Sequence, residues 1–304
     1  MLKQSGEQGA IMQAIRGIHH ISAMVGDLEK VLSFYRKILG LRLVKKTVNF
    51  DDKIGYHLYF GSQSALLGPL ITFFPQQLQT GHKGSGQVGK IAFRVPINQL
   101  DYWENHLKSF GIKTKKGYWF QDKALYFNDF DQLELALIVS AQISNNPEIQ
   151  AFHGLSIYSS QPQASKEFLG KTMGFLAVSE DEEHFYLKIP GKRYEELLIE
   201  QFVSPAGIWG VGTVHHFARS VLDEIEEEAW RKFLIDEGRD VTILRDRKYF
   251  KSIYFREPGQ VIFEMATEAP GLLVDESKEE LGKQLQLPQN TNDIANRLKR
   301  SCLE

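Results

Sequence analysis

Cysteine is nearly missing from this 304-residue chain: the single Cys302, close to the end, has no internal partner for a disulfide. That fits a reducing compartment, and a cytoplasmic location is expected. Charge of one sign is missing too. Lys and Arg number 36 against 38 Asp and Glu, a net charge of −2, so the basic footprint of nucleic-acid binding is lacking and nucleic acid is not an expected partner. No run approaches the roughly 18 consecutive apolar residues of a membrane helix. The opening MLKQSGEQGAIMQAIR has a polar start and no long apolar segment, so neither a membrane span nor a secretion signal is expected. What is present is ordinary in amount. Apolar residues at 42% and charged residues at 24% exclude a disordered or collagen-like chain and imply a sizeable core. At about 150 residues per domain the length predicts two domains.

One sequence grammar recurs four times. Each unit begins with a short apolar-alternating run: GIHHISAMV from Gly17, GKIAFRVP from Gly89, FHGLSIYSS from Phe152 and VHHFARSV from Val214. An amphipathic stretch follows, ending in a glycine where a helix needs a left-handed C-cap before a strand. Two further strands close each unit, and Glu257–Gln260 marks the hairpin turn of the last. Starts at residues 17, 89, 152 and 214 are too regular for chance and predict an α+β fold of four βαββ modules, at 17–80, 88–141, 151–203 and 212–269. An N-terminal extension (1–16) precedes them and a polar tail (270–304) follows. A lone βαββ unit exposes one sheet face, so the units should pair around shared clefts.

Aligning the four first strands places His20, Lys90, His153 and His216 in one column. Aligning the last strands puts Glu200 beside Glu264, with Thr72 or Phe73 at the corresponding place in the first unit and Ala136 near it in the second. Equivalent positions of paired units converge. Joining the first and fourth units gathers His20, His216 and Glu264, two imidazoles and one carboxylate on one face, a set suited to non-haem Fe(II) with open positions. Joining the second and third gathers Lys90, His153 and Glu200, where an ammonium argues against a cation. Joining the third and fourth gives His153, His216 and Glu264 and ranks second, because it strands a histidine of the matched HH pairs. The ordinary reading of a strand histidine is a hydrogen-bonded core or surface residue. The recurrence of HH at matched positions, with Glu264 among apolar neighbours where a bare carboxylate is costly, favours ligands. Alternation lets one histidine of each pair face the cleft, leaving His19 and His215 as supports.

The stretches GIHHI, FY with LGLRLVKKTVN, YHLYFG, GTVHHFA, DRKYFKSIYFREPGQVIFEMAT, PGLLVDE and LGKQLQLP run from about residue 16 to 289. Together they resemble the vicinal oxygen chelate (glyoxalase, bleomycin resistance and extradiol dioxygenase) superfamily, and within it the hydroquinone-type ring-cleaving dioxygenases. The resemblance implies two vicinal-oxygen-chelate domains, the catalytic one from the first and fourth modules, with His20, His216 and Glu264 as ligands of Fe(II) or, as the other candidate, Mn(II). It implies ring cleavage of a hydroquinone- or catechol-like substrate with O2, a role in quinone detoxification, and Tyr254 and Arg247 as catalytic residues near substrate oxygen. His57, on the third strand of the first unit, is a further candidate for proton traffic, and Tyr59 matches Tyr254 by repeat position. Gln260 departs from the second glycine of many relatives. Two rivals remain: a glyoxalase-like metal isomerase or lyase, disfavoured by the apolar LITFF, and a metal-free small-molecule binder. Assembly as a homo-oligomer is left open.

Overall fold

The computed structural model describes residues 16–49, 55–63, 70–75, 79–189 and 195–287. Most of the expected N-terminal extension, and Cys302, lie outside them. Among the described residues, four α-helices and sixteen strands follow one another in four similar runs. The first is β1 (Ile18–Val25), α1 (Leu28–Leu32, continuing as a π-helical turn Ser33–Ile38), β2 (Arg42–Val48), β3 (Tyr56–Gly61) and β4 (Leu70–Pro75). The second is β5 (Gln87–Pro96), α2 (Leu100–Ser109), β6 (Thr114–Trp119), β7 (Asp122–Asn128) and β8 (Glu134–Ser140). The third is β9 (Ala151–Tyr158), α3 (Pro162–Lys171), β10 (Leu176–Glu180), β11 (His184–Ile189) and β12 (Glu195–Glu200). The fourth is β13 (Thr213–Val221), α4 (Glu224–Asp236), β14 (Arg245–Asp246), β15 (Lys251–Arg256) and β16 (Ile262–Thr267).

The fold is α+β, and each unit carries one strand more than the four-element reading, because the stretch directly after the helix is itself extended. The helix stops are those the sequence announces. Gly40, Gly111, Gly174 and Gly238 all have positive φ, between 67° and 78°, the conformation that ends a helix and that L side chains resist. Asp27 caps α1 by accepting from Lys30 N at 2.9 Å, and Asp223 caps α4 by accepting from Glu226 N at 3.0 Å.

β1 runs antiparallel to β13, and β5 runs antiparallel to β9, so the first unit lies beside the fourth and the second beside the third. A contact between Val88 and Val214 joins the two pairs, and the strands form one continuous sheet. One face carries the main core against the helices, with Phe34, Trp103, Phe168 and Trp230 all buried in it, as their helical spacing predicts. The other face is concave. Over the first and fourth units it carries Tyr59, Leu70, Ala218, Phe250 and Ala266; over the second and third it is filled by Ala92, Trp119, Ala124, Ala136, Ile138 and Leu198.

The start of the tail is built into the fold. Residues 272–287 cross the edge strand β2: Leu285 bridges Lys46 and Gln286 N donates to Lys46 O at 2.8 Å. Asp275, 2.7 Å away, and Glu276 neutralise the fully buried Lys45. An edge strand offers unpaired backbone groups, and this segment covers them.

Candidate metal centre and cavity

Register decides which side chains meet. Across β1 and β13, His20 faces Ala218 and Ser22 faces His216. Along the parallel β13–β16 ladder Ala218 lies beside Glu264, and along β1–β4 Ser22 lies beside Thr72. His20, His216 and Glu264 thus share the concave face at the centre of the first and fourth units. His20 Nε2 is 3.2 Å from His216 Nε2, and Glu264 Oε2 is 3.1 Å from the first and 2.8 Å from the second. All three side chains are buried.

The donor set fits a cation. Glu264 Oε2 lies 3.1 and 2.8 Å from the two imidazole nitrogens and has no other polar partner among the described residues; a buried carboxylate oxygen is costly unless a positive charge meets it. Burial alone would raise the Glu264 carboxyl, but His20 and His216 outweigh it and hold it well below the usual carboxylate range. Burial pushes His216 down, more than Glu264 lifts it. An ionised carboxylate and a neutral imidazole are the forms that bind a metal.

The paired histidines explain themselves here. His19 Nδ1 lies 2.8 Å from His20 Nδ1, and His215 Nδ1 lies 2.7 Å from His216 Nδ1. Each neighbour engages the outer nitrogen of its partner and leaves Nε2 to converge, the supporting role that ligand histidines depend on. Tyr254 Oη donates to Glu264 Oε1 at 2.9 Å, and Arg247 Nη2 donates to Tyr254 Oη at 3.3 Å. Burial, and then the Glu264 charge, push the Tyr254 phenol up, so it remains a donor. His57 lies on the opposite wall, its Nδ1 3.0 Å from Tyr59 Oη. A cavity of about 380 Å³ opens above the triad, walled by Met24, Phe74, Phe250 and Ile262 and edged by Asn49 and Arg245.

Two sequence alignments require correction. β9 pairs with β5 as β13 pairs with β1, with the same irregularity at the matched place, Ala92/Phe93 and Ser22/Ala23, so the third-unit counterpart of His216 is Gly154 and that of Ala218 is Ser156; His153 matches His215. Leu198, beside Ser156, matches Glu264, and Glu200 lies two residues further on. His153 instead pairs with Glu196 at 3.3 Å, and Glu200 pairs with Lys90 at 2.7 Å and His184 at 3.0 Å. The scheme joining His153 to His216 and Glu264 therefore fails. In the first unit the position is Thr72, not Phe73. Tyr59, Tyr126, Tyr186 and Tyr254 face Thr72, Ala136, Leu198 and Glu264 in turn, a fourfold tyrosine of which the sequence reading found two members. Ser22 was also missed as a cavity group, although the period-2 spacing from His20 marks it.

Comparison with known proteins agrees with this geometry. Residues 17–131 match the Glyoxalase/Bleomycin resistance protein/Dioxygenase superfamily, and the chain belongs to that superfamily. A Bacillus subtilis protein named "Putative ring-cleaving dioxygenase MhqE" is 36% identical over 284 residues, 90% of this chain and 93% of that one. The chlorohydroquinone/hydroquinone 1,2-dioxygenase of Sphingobium indicum is 29% identical, covering 95% and 96%. The crystal structure of a Bacillus subtilis protein described as a dioxygenase of "putative" status superposes with a TM-score of 0.89 at 34% identity, over 95% of this chain and 96% of that one. Glyoxalase I of Zea mays, at 16% identity and a TM-score of 0.63 over 83% and 92%, shares the fold.

Proposed function

We infer that the protein is a ring-cleaving dioxygenase acting on hydroquinone-like aromatic rings, with Fe(II) held by His20, His216 and Glu264. The observation that carries this reading is the lopsided donor set: three buried donors on one face, with the hydroxyl of Thr72 at the place where a symmetric pair of units would supply a second acid. Three protein ligands leave room for both substrate and oxygen, whereas the fuller set of an isomerase would not. Bound there, the metal supplies a meeting point at which a substrate hydroxyl and O2 exchange electrons.

The chain's own residues do the rest. On this reading the catalytic domain joins residues 17–80 and 212–269, and the other two units form a second domain. Phe250, Phe74 and Met24 hold the ring and exclude water. Arg247, through its bond to Tyr254, favours an ionised substrate oxygen beside it. Tyr254 keeps its proton and, with its Oη 2.9 Å from Glu264 Oε1, fixes that carboxylate; turned away from it, the same O–H donates to an oxygen atom in the cavity. The test is anaerobic loading with Fe(II), and separately with Mn(II), then addition of hydroquinone, methylhydroquinone and catechol in air-saturated buffer. Oxygen uptake matched to a ring-opened absorbance is expected with at least one hydroquinone. Verified metal occupancy with no uptake across the panel would refute the assignment.

A further inference from the structure

The wall of the cavity opposite Tyr254 is built by the first unit, and it carries four polar side chains that the ligand set does not use. Ser22 Oγ lies 2.7 Å from Thr72 Oγ1. Thr72 Oγ1 lies 3.0 Å from His57 Nε2, and His57 Nδ1 lies 3.0 Å from Tyr59 Oη. All four are buried, and Ser22, His57 and Tyr59 line the cavity. The chain therefore leaves the cavity wall at Ser22 and returns to it at Tyr59. Its position is not incidental. Ser22 faces His216 across the β1–β13 ladder, and Thr72 takes in the first unit the place that Glu264 takes in the fourth. Where symmetry would put a second ligand, this chain has a hydroxyl bonded to an imidazole.

Each link joins groups that both donate and accept. Burial, with His20, His216 and Arg247 nearby, holds His57 well below the usual imidazole range, so the ring is neutral, with one N–H and one lone pair. The chain then has two polarities of equal charge. In one, Ser22 donates to Thr72, Thr72 to His57 Nε2, and Nδ1–H to Tyr59, which leaves the Tyr59 hydroxyl hydrogen for a cavity water and a Ser22 lone pair for a substrate hydroxyl. In the other every bond is reversed, and Ser22 donates into the cavity.

Resting on the dioxygenase reading, we propose that Ser22, Thr72, His57 and Tyr59 form a reversible proton relay that takes the substrate hydroxyl proton at Ser22 and releases a proton from Tyr59 to water. The substrate O–H proton bonds to Ser22 Oγ as the Ser22 proton moves to Thr72, the Thr72 proton to His57 Nε2, the Nδ1 proton to Tyr59 Oη and the Tyr59 proton to water. The substrate oxygen keeps the electron pair, the water becomes hydronium, and no side chain ends charged. The relay is left in its second polarity and resets when a proton returns along it to an oxygen of the opened ring. His57 is a positioning residue, acting through Thr72 and Tyr59.

The experiment uses the full-length Fe(II)-loaded protein with a hydroquinone and the variants Thr72→Val, Tyr59→Phe and His57→Phe. Oxygen uptake is measured in mixtures of H2O and D2O. Thr72→Val and Tyr59→Phe each remove a hydroxyl and little volume. Each is expected to lower kcat by about 100-fold while KM moves by less than about threefold and metal content is unchanged. The curved dependence of rate on deuterium fraction, the sign of several protons in flight, should become linear in all three. Wild-type kcat and curvature in Thr72→Val and Tyr59→Phe would overturn the relay whatever His57→Phe does, since that ring also stacks on Phe74. No uptake by the wild-type protein would instead strike the dioxygenase reading, and the relay with it.

Discussion

The first and fourth units and the second and third share one backbone plan and differ in what stands at four matched positions. The first pair places His20, His216, Thr72 and Glu264 there; the second pair places Lys90, Gly154, Ala136 and Leu198. In the first pair the concave face is a cavity with polar atoms turned inward. In the second, Trp119, Leu198 and small alanines close the same face. Gly154 could not be restored to a ligand there: a Cβ at this position would sit 2.0 Å from Glu196 O. The fold supplies convergence twice, and the residues make a site of it once. Fold alone therefore assigns no chemistry to a cleft of this kind.

The comparison breaks most sharply at the ligands. His20→Ala, His216→Ala and Glu264→Ala should each lower Fe(II) retention on gel filtration by about 100-fold or more, while His153→Ala retains the metal. Loss in His153→Ala with retention in His20→Ala would reverse the assignment. In the second pair the same kind of change acts on stability instead. Leu198→Ala, emptying a buried position under Trp119, should cost about 2–5 kcal/mol in urea denaturation and leave metal content per folded molecule unchanged.

Much of this was legible in the residues, and what escaped did so for separate reasons. The HH pairs and the four glycine stops are local signals, readable from period and turn chemistry. His153 was misassigned because its run was set one residue out of step, which exchanges the two faces of a strand; FHGL laid on VHHF puts His153 on His215 and Gly154 on His216. Glu200 was set two residues too far along β12, on the right face but at the wrong level. The tyrosine opposite each last-strand position escaped notice because it becomes a set only after the ladders are known. Lys45 reads as a solvated charge in LVKKTV, and its burial depends on Asp275 and Glu276, some 230 residues away.

The helices offer a smaller contrast. Glu227 lies three residues before Trp230, as Val31 lies three before Phe34 and Leu100 three before Trp103. Burial pushes the Glu227 carboxyl up to about 8, helped by the charges of Glu264 and Glu224. The folded chain therefore keeps a proton that the unfolded chain releases above its ordinary value near 4.5. Stability contributed by the protonated form is full below that value and is lost as pH rises toward 8. Glu227→Gln should thus match the wild type near pH 4.5 and exceed it by about 2 kcal/mol at pH 8.5, as measured by urea melts at both pH values. An equal difference at both would mean that ionisation is not the cause.

The smallest effect tests a feature the two pairs have in common. The last hairpin of the second unit and that of the fourth turn through a glutamine in the left-handed region, Gln132 at φ 70° and Gln260 at φ 73°. Each turn is held by a buried carboxylate three residues earlier. Asp129 accepts from Leu133 N at 2.9 Å, and Glu257 accepts from Val261 N at 3.0 Å. A left-handed L residue costs about 1–2 kcal/mol, and glycine returns part of that through its freer unfolded state. Gln132→Gly and Gln260→Gly should therefore each gain about 0.5–1 kcal/mol in urea denaturation, and the double variant should gain their sum because the sites share no partner. Metal content should not change in either. A gain at Gln132 with a loss at Gln260 would show that the fourth-unit turn holds its strain for the strand carrying Glu264, and that the two hairpins are alike in shape only.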